Sequence, residues 1–242
     1  QGLNLRANYA EAFRMPTADE LFMFTDYSAW GFGVWSGNPD LAPEQSQTYE
    51  IGMDFSKGAY SAGATYFYTT FEDKISYAYD PLDDVTRYEN IDGATISGIE
   101  GSVNIDLGAI FDWDCALKPY GSFTYLIEYT DEENNCDLFY NPQWTASYGL
   151  EFSKPAVGFD SRLNFAYISE QYITDYEGTG ATTLPAYTVA DLSISKDLFS
   201  FDRFGRVMLK ADITNLFNED YAVVQGYPSP GRTFYLGLKY VY

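Results

Sequence analysis

The stretch 232–242 constrains the fold more than any other part of this sequence. Its residues alternate strictly, and one face carries only large apolar side chains, namely Phe234, Leu236, Leu238, Tyr240 and Tyr242. The other face carries Thr233, Tyr235, Gly237 and Lys239. Such a stripe at a period of two predicts a β-strand whose two faces meet different surroundings. The closing strand of an outer-membrane β-barrel has this pattern, because one face meets lipid and the other meets the lumen.

The composition agrees with a β-barrel in a membrane. Aromatic residues make up 19% of the 242 residues, with 23 Tyr and 18 Phe. The mean hydropathy is nevertheless only -0.26. No run approaches the roughly 20 apolar residues of a membrane-spanning helix. Membrane β-barrels combine these properties, because lumen-facing residues dilute the lipid-facing ones along every strand.

The charge and the missing histidines exclude several function classes. The net charge is -21, whereas nucleic-acid binding requires a basic surface. The chain contains no His, which removes Ser-His-Asp catalysis and most zinc sites. An outer-membrane protease or phospholipase relies on His as its base, so we predict that the chain is not an enzyme and holds no cofactor.

The alternation of apolar and polar residues predicts ten strands. They are 3–10, 47–56, 59–79, 85–106, 117–129, 143–152, 160–171, 187–197, 206–215 and 231–242. Short connections (57–58, 107–116, 153–159 and 198–205) alternate with long ones (11–46, 130–142, 172–186 and 216–230), with one short exception at 80–84. We therefore predict an all-β, antiparallel transmembrane barrel with short turns at one rim and long loops at the other. A soluble β-sandwich is the alternative, but its strands are usually about 5–6 residues long.

The two cysteines flank one predicted strand. Cys115 precedes the strand 117–129 and Cys136 follows it. An extended segment of this length spans roughly 45 Å, so we expect that the two thiols do not form a disulfide. The sequence also opens in mid-pattern at residues 1–5 without a signal peptide, and we expect a fragment of a longer precursor.

Six segments resemble the C-terminal barrel region of TonB-dependent outer-membrane receptors. They are Tyr9-Ala-Glu-Ala-Phe-Arg-Met-Pro-Thr-Ala-Asp-Glu-Leu-Phe22, Gly37-Asn-Pro-Asp-Leu-Ala-Pro-Glu44, Tyr49-Glu-Ile-Gly52, Ile96-Ser-Gly-Ile-Glu100, Asn215-Leu-Phe-Asn-Glu-Asp-Tyr221 and Gly226-Tyr-Pro-Ser-Pro-Gly-Arg232. Each segment is weak by itself, but six in this order, ending in an aromatic strand, form a specific pattern. The resemblance covers essentially the whole chain.

The resemblance implies a barrel of about 22 strands with a plugged lumen. Residues 1–242 would then be one domain, the C-terminal part of the barrel, with the plug and the N-terminal strands absent. It further implies a receptor in the outer membrane of a Gram-negative bacterium. Such a receptor takes up a metal chelate with energy that the TonB complex delivers through the plug. A passive pore or an adhesin made by these ten strands alone is the alternative.

Three long connections carry the candidate ligand-binding residues. They are Phe24, Tyr27, Trp30, Phe32 and Trp35 in 11–46, Tyr172, Asp175 and Tyr176 in 172–186, and Tyr227 in 216–230. Exposed aromatic side chains are costly unless they bind a ligand, pack on neighbouring loops or lie at the lipid interface, and the sequence does not separate ligand contact from packing. For Arg14 and Arg232 we expect lumen carboxylates such as Glu50 or Asp212 as partners.

The identity of the ligand is narrowed by the same resemblance. Haem receptors carry a His between the first two motifs, and 17–37 contains none. Receptors of anionic ferric catecholates are basic where they bind, whereas this chain is acidic. The last two motifs look like those of the cobalamin receptor, so we expect a cobalamin-like or iron-siderophore chelate. The acidic segment 131–137 is a candidate site for calcium, although a solvated run of charges is the favoured interpretation.

Overall fold

The computed structural model of the protein describes residues 2–31, 33–80, 82–91, 93–132, 136–173, 182–201 and 205–241. In chain order its strands are β1 (Gly2–Arg14), β2 (Phe24–Asp26), β3 (Val34–Ser36), β4 (Glu44–Lys57), β5 (Tyr60–Glu72), β6 (Lys74–Asp80), β7 (Val85–Ile91), β8 (Ala94–Ile105), β9 (Ala116–Asp131), β10 (Cys136–Asp137), β11 (Trp144–Lys154), β12 (Phe159–Ile168), β13 (Gln171–Tyr172), β14 (Thr183–Leu184), β15 (Tyr187–Phe201), β16 (Gly205–Thr214), β17 (Ala222–Val224), β18 (Tyr227–Pro228) and β19 (Thr233–Val241). The α-helices are α1 (Ala18–Phe22) and α2 (Leu107–Ile110), and 3₁₀ turns occupy Ser28–Trp30 and Pro155–Val157. No helix among the described residues has the length and apolar character needed to cross a membrane.

Ten of these strands form one large antiparallel sheet, which we call the main sheet. Its order is β1-β4-β5-β8-β9-β11-β12-β15-β16-β19, with the short β10 paired to β9 beside this path. Within the main sheet, each strand therefore pairs with the strand before it and the strand after it in chain order. The sheet is open, and β1 and β19 form its two edges. The prediction of an all-β, antiparallel arrangement of ten strands is confirmed.

The two faces of the main sheet differ as the alternation predicts. In the last strand pair, Leu236 lies opposite Ala211 and Leu238 opposite Leu209. The side chains of Leu236 and Leu238 are 76% and 70% exposed. The other face of β19 places Gly237 opposite Lys210. We call these the apolar face and the polar face. The apolar stripe holds for Phe234 to Tyr240, while Tyr242 lies outside the described residues.

The connection between β5 and β8 differs from the prediction. The predicted strands 59–79 and 85–106 are each broken, because Asp73 adopts a left-handed φ of 52° and Gly93 passes against the Phe71 carbonyl group. A Cβ atom on residue 93 would overlap that oxygen. β6 and β7 between these breaks form a hairpin that is separate from the main sheet. The short exception at 80–84 thus disappears, since the whole connection 73–93 is long and lies at the rim of the other long connections.

A register shift explains a second difference. Gly98 pairs with Leu126 but Ser97 pairs with Glu128, so β9 contains one extra residue here. Such a bulge moves the residues beyond it to the opposite face. Tyr129 therefore lies opposite Ile96 and is buried, with 8% exposure. Strict alternation over the predicted strand 117–129 would place Tyr129 on the same exposed face as Phe123, and the bulge shows that this extrapolation is wrong.

The cysteines lie as expected at the two ends of one strand. Cys115 immediately precedes β9, and Cys136 belongs to β10, which pairs with the far end of β9. Both thiols are free. The strand length, rather than the redox environment, keeps them apart.

Candidate functional site

A second, smaller sheet stands at the rim of the long connections. Its order is β2-β3-β7-β6, and we call it the loop sheet. β3 and β7 pair in parallel, with Val34 opposite Val85. This pairing joins the connection 15–43 to the connection 73–93. Two loops that are separated by β4 and β5 in the sequence thus form one structure.

The loop sheet and the turn between β2 and β3 carry several of the predicted ligand-binding residues. Phe24 and Trp30 are each 73% exposed. Tyr27 stacks on Trp30, with ring centroids 5.8 Å apart and an interplanar angle of 27°. Trp35 is half-buried and packs on Tyr77 with a centroid distance of 5.4 Å. Trp35 therefore has a packing role, whereas Phe24 and Trp30 present open apolar surface. Phe32 lies outside the described residues.

The other candidates lie on different connections. Tyr172 belongs to β13, and its carbonyl oxygen accepts a hydrogen bond from the Tyr140 N–H at 2.8 Å. Tyr227 belongs to β18 and is 75% exposed. Asp175 and Tyr176 lie outside the described residues. The predicted set is therefore spread over several loops, and the loop sheet holds the part of it that the structure brings together.

The sequence interpretation missed two exposed aromatic residues of the loop sheet. Tyr77 and Tyr79 lie on β6 and are 53% and 58% exposed. The Tyr79 hydroxyl donates to Asp84 Oδ1 at 3.0 Å, and this bond to a carboxylate raises the pKa of Tyr79. The alternation pattern places both residues in a long strand of the barrel. The consecutive polar residues Asp73 and Lys74 are the available signal that this strand ends.

Arg14 links the main sheet to the first long connection. It ends β1 directly opposite Glu44, the first residue of β4. Its Nε donates to Glu44 Oε2 at 2.6 Å. Its Nη1 donates to both carboxylate oxygens of Glu20, at 3.0 and 2.9 Å. The expected partner Glu50 instead accepts from Asn8, because β1 and β4 extend further than predicted and bring Glu44 opposite Arg14.

Glu20 also stabilises the start of α1 through hydrogen bonds with Thr17. The Thr17 N–H donates to Glu20 Oε2 at 2.7 Å, and the Glu20 N–H donates to Thr17 Oγ1 at 3.2 Å. This reciprocal arrangement is a capping box, which satisfies free N–H groups at a helix start. The Arg14 guanidinium, followed by the bond from Thr17, holds the pKa of Glu20 below its ordinary value.

Asn90 and Glu44 tie the second long connection to the same place. Asn90 Oδ1 accepts from the Ala42 N–H at 2.7 Å, and Asn90 Nδ2 donates to the Ala42 and Asp73 carbonyl oxygens at 3.0 and 2.7 Å. Glu44 Oε1 accepts from the Ile75 N–H at 2.8 Å. Leu41 and Ile75 are buried, with 9% and 8% exposure. The base of the loop sheet is therefore fixed by side chains that bond to backbone groups.

The polar face of the main sheet holds a recess of about 510 Å³. Short hydroxyl side chains form one part of its lining, beside the carboxylates of Asp54 and Glu100, and they are Thr65, Ser102, Ser122, Thr124, Thr145 and Ser147. Arg6 lies at its edge and donates to Asp54 Oδ2 at 3.0 Å and to the Thr65 hydroxyl. Neutral hydroxyl groups of this kind suit contact with water or a hydrophilic solute.

The motif at 215–221 forms a compact clasp at the end of β16. Asn215 is buried, with 3% exposure, and has a left-handed φ of 51°. Its Nδ2 donates to the carbonyl oxygens of Glu219 at 2.8 Å and Pro230 at 3.4 Å, and its Oδ1 accepts from the Glu219 N–H at 2.7 Å. Arg232 donates to the Leu216 carbonyl oxygen at 3.4 Å. The suggested partner Asp212 instead accepts a hydrogen bond from Ser193 Oγ. The described role of Arg232 is therefore its bond to the backbone of the clasp.

Calcium binding by the acidic segment 131–137 stays a prediction. Residues 133–135 of the acidic segment lie outside the described part of the chain. Within the described part, no group of three or more His, Cys, Asp or Glu side chains is placed to hold a metal ion. Glu132 Oε1 accepts from the Thr95 hydroxyl at 2.7 Å.

Two comparisons with known proteins bear on this arrangement. A family model described as "TonB dependent receptor-like, beta-barrel" matches residues 1–216. Among solved structures, a mutant of the ferric enterobactin receptor PfeA from Pseudomonas aeruginosa in complex with enterobactin is similar, with 23% identity and a TM-score of 0.78. The match covers 98% of this chain and 38% of that chain.

Two further structures have the same fold. The siderophore receptor PirA from Acinetobacter baumannii matches at 22% identity and a TM-score of 0.74, over 99% of this chain and 39% of that chain. The copper transporter OprC matches at 21% identity and a TM-score of 0.74, over 98% of this chain and 36% of that chain. The chain thus spans less than two fifths of the length of these proteins. At these identities the likeness is one of fold.

Proposed function

Since the chain belongs to the TonB-dependent receptor-like β-barrel family, we propose that it forms part of the wall of an outer-membrane receptor that imports a metal chelate. The main sheet would be the wall, with its apolar face toward lipid and its polar face toward the lumen. The loop sheet would stand outside the cell at the rim of the barrel. The family consists of receptors and transporters, which agrees with the prediction that the chain is not an enzyme.

One observation carries the proposal. The apolar face of a ten-strand sheet carries exposed large apolar side chains on β1, β4, β5, β8, β9, β11 and β19 and half-buried ones on β12, β15 and β16. Every long connection leaves from one rim and carries exposed aromatic residues. An exposed apolar band of this size is unfavourable in water but favourable in lipid. Aromatic loops at one rim suit capture of a ligand that is larger and more apolar than a hydrated ion.

The ligand class is supported by chemistry and by the neighbours. Phe24, Trp30 and Tyr77 present apolar ring surface, which suits the organic shell of a chelate. Of the three neighbours described above, one is named as a ferric enterobactin receptor, one as a siderophore receptor and one as a copper transporter. We propose an iron-siderophore or cobalamin-like chelate as the ligand, without choosing between them. Phe32, Tyr172, Asp175, Tyr176 and Tyr227 remain proposed contacts.

Import would require parts that lie outside this chain. We propose that a plug domain occupies the lumen and contacts the TonB complex, and that the receptor lies in the outer membrane of a Gram-negative bacterium. The support is the family together with the chain covering less than two fifths of solved relatives. Calcium bound in acidic loops is a further proposal, which the experiment below includes.

Ligand binding by the full-length protein tests the proposal. The purified protein in detergent would be titrated with ferric enterobactin, a ferric hydroxamate, cobalamin and haem, each with calcium or with EDTA. We expect tight binding of one chelate. Trp30→Ala should weaken it by about 1–3 kcal/mol, the typical effect of removing an aromatic contact. Trp113→Ala is the matched control, because Trp113 is 48% exposed but stacks on Phe111 at the opposite rim.

Two results would contradict the proposal. Failure to bind any of the four chelates, together with free ion conduction in planar bilayers, would favour a passive pore. Equal loss of binding in Trp30→Ala and Trp113→Ala would show that the loop sheet is not the ligand surface.

A further inference from the structure

We propose that Arg14 is a positioning residue that docks the loop sheet on the main sheet, so that the connections 15–43 and 73–93 act as one rigid unit. The consequence for ligand binding rests on the proposed function: one docked unit would present Phe24, Trp30 and Tyr77 in a fixed arrangement. The docking itself stands on the contacts of Arg14, Glu20, Glu44 and Asn90.

The first step is the geometry of the guanidinium. Arg14 donates three hydrogen bonds to two carboxylates on different elements, Glu20 of α1 and Glu44 of β4. A guanidinium presents its donors in a fixed planar fork, so three such bonds fix the direction of both partners. Arg14 thereby sets the position of α1 relative to the end of the β1–β4 pair.

The second step is that each carboxylate, besides its bond to Arg14, also bonds to the backbone of a long connection. Glu20 Oε2 accepts the Thr17 N–H, which fixes the start of α1. Glu44 Oε1 accepts the Ile75 N–H, which fixes the start of β6 in the second connection. The Glu20 and Glu44 side chains are only 14% and 18% exposed, whereas Arg14 is 42% exposed. Without Arg14, two poorly hydrated carboxylates would be left close to each other, and the docked state would lose its main support.

The third step is that the two connections are bonded to each other at both ends of the loop sheet. At the base, Asn90 of β7 bonds to both backbone polar groups of Ala42 and to the Asp73 carbonyl oxygen. Further out, β3 and β7 pair in parallel and the Val34 N–H donates to the Asp84 carbonyl oxygen at 3.0 Å. Opening one connection therefore breaks bonds to the other, which makes opening cooperative.

Arg6 supplies a matched control on the same strand. It also bonds to a carboxylate of β4, Asp54, and to a hydroxyl group of β5, Thr65. Its side chain is 45% exposed, close to the 42% of Arg14. Its partners, however, belong entirely to the main sheet. Losing Arg6 removes similar bonds without touching either long connection.

Hydrogen exchange of the ligand-free, full-length protein in detergent tests the proposal. In Arg14→Met we expect amides of both 34–36 and 85–87 to exchange about 10-fold faster or more, since a bond to a charged group is lost at a partly buried site. The increase should be of similar size in the two segments, because they open together. Arg6→Met should leave both segments unchanged. Arg14→Lys should give an intermediate increase, because Lys keeps the charge but not the fork.

A second variant, Asn90→Ala, tests the same proposal in case Arg14→Met does not fold. Asn90→Ala removes the base contact without changing any charge, and it should also speed exchange in both 34–36 and 85–87. Faster exchange in 17–23 alone, with 85–87 unchanged in Arg14→Met or Asn90→Ala, would overturn the proposal. So would equal effects of Arg14→Met and Arg6→Met. Because no ligand is present, these results are independent of whether the receptor binds a chelate.

Discussion

The main sheet and the loop sheet are both antiparallel for the most part, but different forces hold them. The main sheet consists of strands of 9–16 residues whose backbone groups pair with both neighbours, except at the edges β1 and β19. The loop sheet consists of strands of three and seven residues. Its position depends on a few side chains, above all Arg14, Glu44 and Asn90.

This difference shows how one chain separates a scaffold held by a continuous backbone ladder from a binding surface held by a few side-chain contacts. A long ladder of backbone hydrogen bonds accepts almost any side chain that suits the face on which it lies. A small sheet that is held in place by a few polar side-chain contacts can be displaced by changing one residue. The reason is that the local stability of a segment follows the number of its buried contacts. Loops that carry binding residues on a rigid framework are a common division of this kind.

The largest effect is expected for a charge on the apolar face. Leu236→Arg should lower the free energy of unfolding by about 2–4 kcal/mol in phospholipid vesicles, the cost of Arg near the middle of a lipid-facing strand. Gly237→Arg is the control on the adjacent residue, which lies on the polar face and where a Cβ atom would have no neighbouring atom within 4 Å. Its loss should be clearly smaller. Equal losses in urea titrations would mean that the two faces do not meet different surroundings.

A smaller effect is expected where the main sheet ends and a loop begins. Asn215→Ala removes three hydrogen bonds at a buried, left-handed position, and should destabilise by about 2–3 kcal/mol. Asn215→Gly relieves the backbone strain but not the lost bonds, so it should recover only part of the stability. Full recovery in Asn215→Gly, measured by the same urea titration, would show that the side-chain bonds contribute nothing.

The smallest effect is expected when the pH is lowered and the docking of α1 on Arg14 is weakened. Arg14 lowers the pKa of Glu20 from its ordinary value of 4.5, so Glu20 stabilises the docked helix above that pH. The contribution is lost as the pH falls through the lower pKa of the docked state. Hydrogen exchange of 17–23, corrected for the intrinsic rate at each pH, should stay constant from about pH 7 to 5 and rise below 4.5. Glu20→Gln should reduce this dependence and leave only the part due to Glu44, the second carboxylate that Arg14 contacts. An unchanged profile in Glu20→Gln would show that Glu20 contributes none of it.

The sequence predicts the main sheet well because its information is local and repeated. The alternation from Phe234 to Tyr240 identifies both the strand and its two faces. The register shift at Ser97 and Gly98 escapes this pattern, because a bulge depends on the partner strand. The burial of Tyr129 on the other face therefore follows only from the structure.

The loop sheet was not predictable for a different reason. Its central pairing, β3 with β7, joins in parallel two segments that lie far apart along the chain, and a period of two does not reveal a partner. The sequence pattern places Arg14 and Glu44 in a loop, because the polar residues near them end the apolar alternation. Their contact follows from the β1–β4 register, which only the structure supplies. Of the predicted ligand residues, Phe24, Tyr27, Trp30 and Trp35 do lie on or beside one sheet, whereas Tyr172 and Tyr227 lie on other connections.

The central claim is that the main sheet is a membrane wall with one lipid-facing side. The most direct test is a nitroxide scan of residues 233–241 in the full-length protein, reconstituted in phospholipid vesicles. Oxygen concentrates in lipid, so the account predicts high oxygen accessibility at residues 234, 236, 238 and 240 and low values at the residues between them. Uniform accessibility along the strand, or low values at every scanned position as in a soluble β-sandwich, would contradict it.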